Sequence, residues 1–300
     1  MTEWMSNKII ELRFLCISFS LLIVLGCVSG IQHVFFSPDM ENFFPENHDV
    51  VDTHNQMEET FTTTDNLVIA IGVDEGTIFK KEILDVIETL TERSWTIPHS
   101  VRVDSITNFS YVSSVDDDLI VIPFIEEALE MNEEEILLKK KLIDGEPLAY
   151  GSIISEDKKT TILNILIDSP RKDIQKEYGE TVEYILPLLE KIKKENPELH
   201  VKLSGIVYVE YLSPRIITAQ MPILVPSLFL VILISLFFLI RSVPAVLGSL
   251  VIIILSALSA VGLVGWTGGT VAQPFIMVPI LVTTLAVADC VHLFSLYFRK

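Results

Sequence analysis

The chain has 300 residues, half of them hydrophobic, with 40 acidic against 22 basic side chains and a formal charge of −18. A soluble domain of that apolar content spreads it over short periodic runs; here the long apolar runs fall in four blocks and the charge in one polar block, which excludes a fully soluble enzyme, a disordered chain and a disulfide-stapled secreted domain. The acidic surplus argues against a nucleic-acid partner, because it repels phosphate.

The first apolar block, Phe14 to His33, is long enough to cross about 30 Å of hydrocarbon at about 1.5 Å per residue. Lys8 and Arg13 precede it and small residues end it, so a cleaved signal peptide is the competing reading; Val24-Leu25-Gly26-Cys27 resembles a lipoprotein cleavage site.

Residues 37–215 form a polar insert. Removing the five bases and three acids outside it leaves 17 bases against 37 acids inside, a net of −20, so the remainder of the chain is nearly neutral. The insert reads as an α+β domain. Asn66–Gly72 predicts a strand rich in β-branched residues, and Phe79 to Arg93 a helix with Ile83, Val86, Ile87 and Leu90 on one face. Val101–Ile106 predicts a second strand. Tyr150–Ser155 and Thr160–Asp168 predict a hairpin around Glu156-Asp157-Lys158-Lys159, Ile174 to Lys194 a second amphipathic helix, and Val201–Val207 a last strand. The order β-α-β, then β-β-α-β, predicts two split β-α-β units of ferredoxin-like type.

Several groups in the insert invite a site. Asp116-Asp117-Asp118 lacks the spaced oxygens and glycine of a calcium loop and reads as a solvated turn. Glu126, Glu127, Glu130 and Glu133 to Glu135 read as an acidic, helical, solubilising surface. His48 and His54 are a poor zinc pair with no cysteine nearby. Cys16, Cys27 and Cys290 all lie in the apolar blocks, so the insert has no disulfide framework and no redox motif. There is no nucleophile motif, phosphate loop or glycine fingerprint, and neither an enzyme activity, a cofactor nor a metal is expected.

Three further spans follow: Ile216 to Ile240, Val243 to Trp266 and Pro274 to Phe298. Arg241-Ser242 alone separates the second from the third, and Thr267-Gly268-Gly269-Thr270 joins the third to the fourth, so both connections force antiparallel hairpins. Lys8, Arg13, Arg241, Arg299 and Lys300 all fall on one side if the N-terminus is cytoplasmic, which puts the insert outside. Ser256, Ser259, Ala260, Gly262 and Gly265 let helix backbones approach. Pro222, Pro226 and Pro279 lie inside spans, where neighbours must satisfy the carbonyls they free. The expected organisation is residues 1–36, a cytoplasmic N-terminus and first span; 37–215, the outer α+β domain; and 216–300, spans two to four of an α-helical membrane bundle.

Asp289 is the expensive residue. It lies in the fourth span, Thr283-Thr284-Leu285-Ala286-Val287-Ala288-Asp289-Cys290-Val291-His292, roughly 15 Å from its cytoplasmic end. An aspartate at mid-bilayer costs about 2.5–3.5 kcal/mol. His292, three residues on, shares its helix face. Two titratable groups on one face of a membrane helix make a candidate proton relay, and a proton crossing 100 mV supplies about 2.3 kcal/mol. The alternative is a structural aspartate paired with a polar group on a neighbouring helix. No span holds a second aspartate, so an intramembrane aspartyl protease is excluded.

These residues carry a resemblance. Asn42-Phe43-Phe44-Pro45-Glu46, Thr64-Asp65-Asn66-Leu67-Val68-Ile69, Val103-Asp104-Ser105-Ile106-Thr107-Asn108, Leu239-Ile240-Arg241-Ser242 and Ala286-Val287-Ala288-Asp289-Cys290-Val291-His292 follow one another as in the RND superfamily of exporters. The chain resembles its MMPL/Patched-like branch, whose membrane helices include a sterol-sensing-type domain. Ala286 stands where the fourth-helix motif has glycine. The resemblance implies a proton-motive-force-driven exporter of lipids or other hydrophobic or amphipathic molecules in the cell membrane, with a porter domain outside and Asp289 as the relay carboxylate. It also implies two halves of six helices each. Four are present, so the chain is expected to be the N-terminal part, completed by further sequence or by a partner subunit. A non-pumping sterol- or lipid-sensing module, or a membrane-anchored module that binds another protein, is the alternative.

Overall fold

A computed structural model describes residues 11–36, 44, 48–61, 64–115, 118–268, 270–271, 275 and 277–298. Lys8, Asn42-Phe43, Pro45-Glu46, Asp116-Asp117, Gly269, Pro274 and Arg299-Lys300, all used above, lie outside the described residues. In chain order the first elements are α1 (Arg13–Ser29, continued by a 3-10 turn Gly30–His33), β1 (Phe35–Phe36), α2 (Asp49–Thr60), β2 (Asn66–Val73), α3 (Lys81–Ser94), β3 (Ser100–Asp104), β4 (Ser110–Val115) and β5 (Asp118–Pro123). They are followed by α4 (Glu133–Leu142), β6 (Thr160–Ile167), α5 (Ile174–Glu195), β7 (Leu199–Ser204), α6 (Ile206–Ile240), α7 (Val243–Thr267), β8 (Thr270–Val271) and α8 (Met277–Phe298). The chain divides into two compact units, Met1–His48 with Ile216–Lys300, and Asp49–Arg215.

In the first unit α1 with its 3-10 turn, α6, α7 and α8 are long and apolar enough to cross a membrane. The turn between α6 and α7 is as tight as its sequence requires. The Arg241 N–H still donates to the Phe237 carbonyl (3.0 Å), Arg241 takes a left-handed φ of 55°, and Pro244 opens α7, where a missing N–H costs nothing. Gly268, at φ 72°, closes α7. A small apolar core of Leu236, Ile240, Ala245, Val246 and Ile253 is flanked by Ala286, Val287, Val291 and Phe294, so α6, α7 and α8 share it. On its other side α7 meets the end of α1 backbone to backbone. A β-carbon on Gly262 would overlap the Cys27 carbonyl, and one on Gly265 the Gly30 carbonyl. The Trp266 indole donates to the Gly26 carbonyl at 2.9 Å. β1 pairs in parallel with β8.

In the second unit the sheet order is β3-β6-β2-β7, every pair antiparallel. Each helix crossover, β2-α3-β3 and β6-α5-β7, leaves a gap of one strand that the other crossover fills, the connectivity of two interlocked split β-α-β units. Burial alternates along β2 and β6, so Leu67, Ile69, Ile71, Leu163, Ile165 and Ile167 face the helices. From the helix side come Ile83, Leu84, Ile87 and Leu90 of α3 and Tyr178, Val182, Ile185 and Leu189 of α5.

Several expectations need correction. Of Tyr150–Ser155 only the end pairs back across the turn: the Ser155 N–H donates to the Thr160 carbonyl and the Ile162 N–H to the Ile153 carbonyl, both at 2.9 Å, around an antiparallel bridge of Ile154 to Thr161. Ahead of it the Ala149 carbonyl collects the N–H groups of Ser152, Ile153 and Ile154 and Gly151 sits at φ 81°, so no regular strand forms. Ile154, 1% exposed, is buried in the domain core, and Ile153 is partly buried beside it. The last strand ends at Ser204, because Gly205 turns at φ 96° against the Asn66 carbonyl. The helix of span two therefore begins at Ile206, ahead of its apolar stretch. Glu126, Glu127 and Glu130 lie in turns, Glu127 at φ 51°; helix starts only at Glu133, where Asn132 and Glu135 form a capping box. The hairpin of β4 and β5 and the helix α2 are additional elements.

Candidate functional site

α8 is 22 residues long, and Asp289 stands nine residues before its last residue, about 13 Å from that end. The helix turns one face inward: Thr283 and Cys290 are buried, and Ala286, Val287, Val291 and Phe294 pack on the α6–α7 core. Asp289, about 100° round the axis from Cys290, is exposed, as is His292 beside it, among Leu285, Leu293 and Leu296. The two titratable groups thus share one outward arc. Among the described residues neither makes a hydrogen bond or an ion pair, so α6 and α7 supply no structural partner for the aspartate.

Within the unit that holds α8 lies an apolar groove of about 610 Å³, and within the other unit, described by itself, a cleft of about 380 Å³. Leu224 and Leu228 of α6, Ile254, Leu258 and Val261 of α7, and Ile280 and Thr283 of α8 line the groove. Three helices, with Val34 and Phe275, contribute its lining at positions a linear reading cannot bring together.

Two segments singled out in the sequence prove to be built for structure. In Val103-Asp104-Ser105-Ile106-Thr107-Asn108, Ser105 and Thr107 exchange hydrogen bonds with each other (2.8 Å) and with Thr91 of α3 (2.9 and 3.1 Å), all three buried. Asn108 accepts from the Ser105 N–H (2.8 Å) and donates to the Val103 carbonyl (2.6 Å). The motif closes the turn after β3 and ties it to α3. In Thr64-Asp65-Asn66, the Asp65 carboxylate accepts from the Tyr178 hydroxyl (2.6 Å) and from Arg171 (2.8 Å), whose guanidinium also lies 3.4 Å from Glu58. Glu58 in turn accepts from the backbone and hydroxyl of Thr64, both at 2.8 Å. The clasp fastens α2 to the start of β2 and the start of α5. Burial and the hydrogen bond to Asp65 push the Tyr178 hydroxyl well above its ordinary value. Burial opposes the charge on Arg171, but Asp65 and Glu58 outweigh it and hold the guanidinium protonated. Burial likewise opposes the Glu58 carboxylate and is outweighed by Thr64, Arg171 and His54, so its carboxyl lies below the usual range.

Among the described residues no group of three or more His, Cys, Asp or Glu could hold a metal ion, and Cys16, Cys27 and Cys290 are free. His54 pairs with Glu58 at 3.6 Å, and the His48 ring lies 5.5 Å from that of Phe44, tilted by 45°. The model of the MMPL family matches residues 42–290. No curated protein matches the chain.

Proposed function

Because the chain belongs to the MMPL family, and is with its four apolar helices a multi-pass membrane protein of RND type, we propose that it takes part in proton-motive-force-driven export of lipids or other hydrophobic or amphipathic molecules. It acts as a carrier and not as an enzyme. In this reading the N-terminus is cytoplasmic in the cell's inner membrane, and Asp49–Arg215 is an extracytoplasmic porter domain of ferredoxin-like type. Arg13 and Arg241, on the same side of the bundle in that orientation, support it.

The observation that carries the proposal is the outward pair on α8. A carboxyl near the middle of a span, unpartnered among the described residues, costs about 2.5–3.5 kcal/mol, and a histidine one turn away gives its proton a neighbour. A covering surface, from a second RND half or a partner subunit, would exclude lipid from this arc and let protonation bias a conformational step. In energised vesicles of the complete transporter, Asp289→Asn is expected to abolish uncoupler-sensitive export while leaving expression intact. Wild-type export by that variant overturns the relay.

The apolar groove favours a second reading, a lipid- or sterol-sensing module that binds without pumping. Saturable lipid binding that is unchanged by Asp289→Asn, with no export to inhibit, would select it.

A further inference from the structure

The outer domain carries a net charge of −20 over residues 37–215, so almost any lysine on it has acids in reach. Lys158, Lys176, Lys191 and Lys193 are indeed paired with carboxylates. Lys80, Lys81 and Lys140 are, like Lys141, Lys172, Lys194 and Lys202, without an ion pair among the described residues; what sets the three apart is that they meet. All three line one cleft of about 380 Å³ between the first turn of α3 and the inner side of α4. Its apolar part is Phe79, Met131, Ile136 and Leu137. Phe79 and Ile136 are buried in the domain core, while Leu137 is 53% exposed at the rim.

Three ammonium groups outside any ion pair, in a cleft with two carboxylates and an apolar floor, form a complementary surface for one kind of molecule. A small inorganic anion would leave the floor wet, and a neutral lipid would leave the lysines without a counter-charge. Glu82 and Glu133 also line the cleft, which leaves an excess of one positive charge. That balance selects a head of low charge over a polyanion. The first turn of the 14-residue α3 adds its positive end to this, since Lys80 caps it without any side-chain hydrogen bond, although the Ile83 N–H is taken by the Lys80 carbonyl at 3.1 Å. Lys139 does not belong to the set: its ammonium lies over Phe124 at 4.9 Å and Tyr111 at 5.5 Å.

We propose that this cleft is a binding site for a single-chain amphiphilic anion, an alkyl tail on Phe79, Met131, Ile136 and Leu137 with a carboxylate or phosphate head held by Lys80, Lys81 and Lys140. The site stands on the chemistry of the outer domain and is independent of the relay on α8.

The test uses the full chain in lipid nanodiscs with a photoactivatable fatty acid and its fatty-alcohol analogue of equal length. The acid is expected to label segments 77–82 and 131–140 at least tenfold more than the alcohol does, and dodecyl phosphate to displace it. The triple variant Lys80→Gln, Lys81→Gln, Lys140→Gln is expected to lose that labelling at least tenfold, with its melting curve unchanged. Equal labelling by the alcohol overturns the anionic head. Displacement by inorganic phosphate as effective as by dodecyl phosphate overturns the tail, and better displacement by an acidic peptide replaces the amphiphile with a polypeptide. The competitor series on the unaltered chain decides the question even if the variant fails to fold.

Discussion

Arg171 holds two carboxylates at once, and the Tyr178 hydroxyl gives one of them a second donor. Removing a donor from a buried acceptor costs more than the bond contributes. Tyr178→Phe is therefore expected to destabilise the folded protein by about 1–3 kcal/mol, read as a lower urea midpoint. Glu58 gives a pH signature. Its folded-state carboxyl lies below the ordinary range, so folding favours the ionised form. That contribution is complete above the unfolded value of about 4.3 and is lost as pH falls through the lower folded value. The gap in urea midpoint between the wild type and Glu58→Gln is expected to be widest at pH 7 and to close toward pH 3. Of these residues only Asp65 stood in a recognisable segment. Arg171 and Glu58 are, in the sequence, two charges among many, and their meeting depends on a chain reversal at φ 52° that no local pattern announces.

Among the elements, those with strong periodicity were legible. Sequence spacing predicts a helix from Phe79 to Arg93 and the structure has Lys81–Ser94; it predicts Ile174 to Lys194 and the structure has Ile174–Glu195. Both bury an apolar stripe, so pattern and packing agree. The hairpin of β4 and β5 escaped because Ser110, Ser113, Ser114 and Asp118 carry no apolar alternation. α2 escaped because it buries no residue and so carries no apolar stripe. The small residues of α7 were read as packing signals, and Gly262 and Gly265 meet α1 with no room for a β-carbon. Gly262→Val is expected to part the two helices and lower the melting temperature in detergent by several degrees. Ser256→Ala, on the same helix and only half-buried, is expected to leave it unchanged. The candidate site was legible where a single residue carried it, as Asp289 does, and not where three helices or two turns assemble it, as in the groove and the lysine cleft.

At the scale of the molecule, charge and apolarity are segregated: nearly neutral helices in one unit, a net of −20 in the insert that supplies the other. Like charges at that density repel across the folded surface, and salt screens them over about 10 Å at 0.1 M. Unfolding of the Asp49–Arg215 domain within the full chain is expected to shift to higher temperature as salt rises from about 10 mM to about 300 mM. A flat or falling response would show that specific pairs outweigh the general field. Among the described residues the sheet also has two strands with a partner on one side only, β3 and β7, and on β3 the Val103 carbonyl is taken by Asn108. β3 is interrupted at Val101, where its register with β6 slips by one residue, and Arg102 follows; β7 presents His200 and Lys202. A kinked, charged rim offers a poor template to another strand. Two such margins meeting edge to edge would set charge against charge and lose register within a few residues, so strand pairing between copies of the domain is disfavoured.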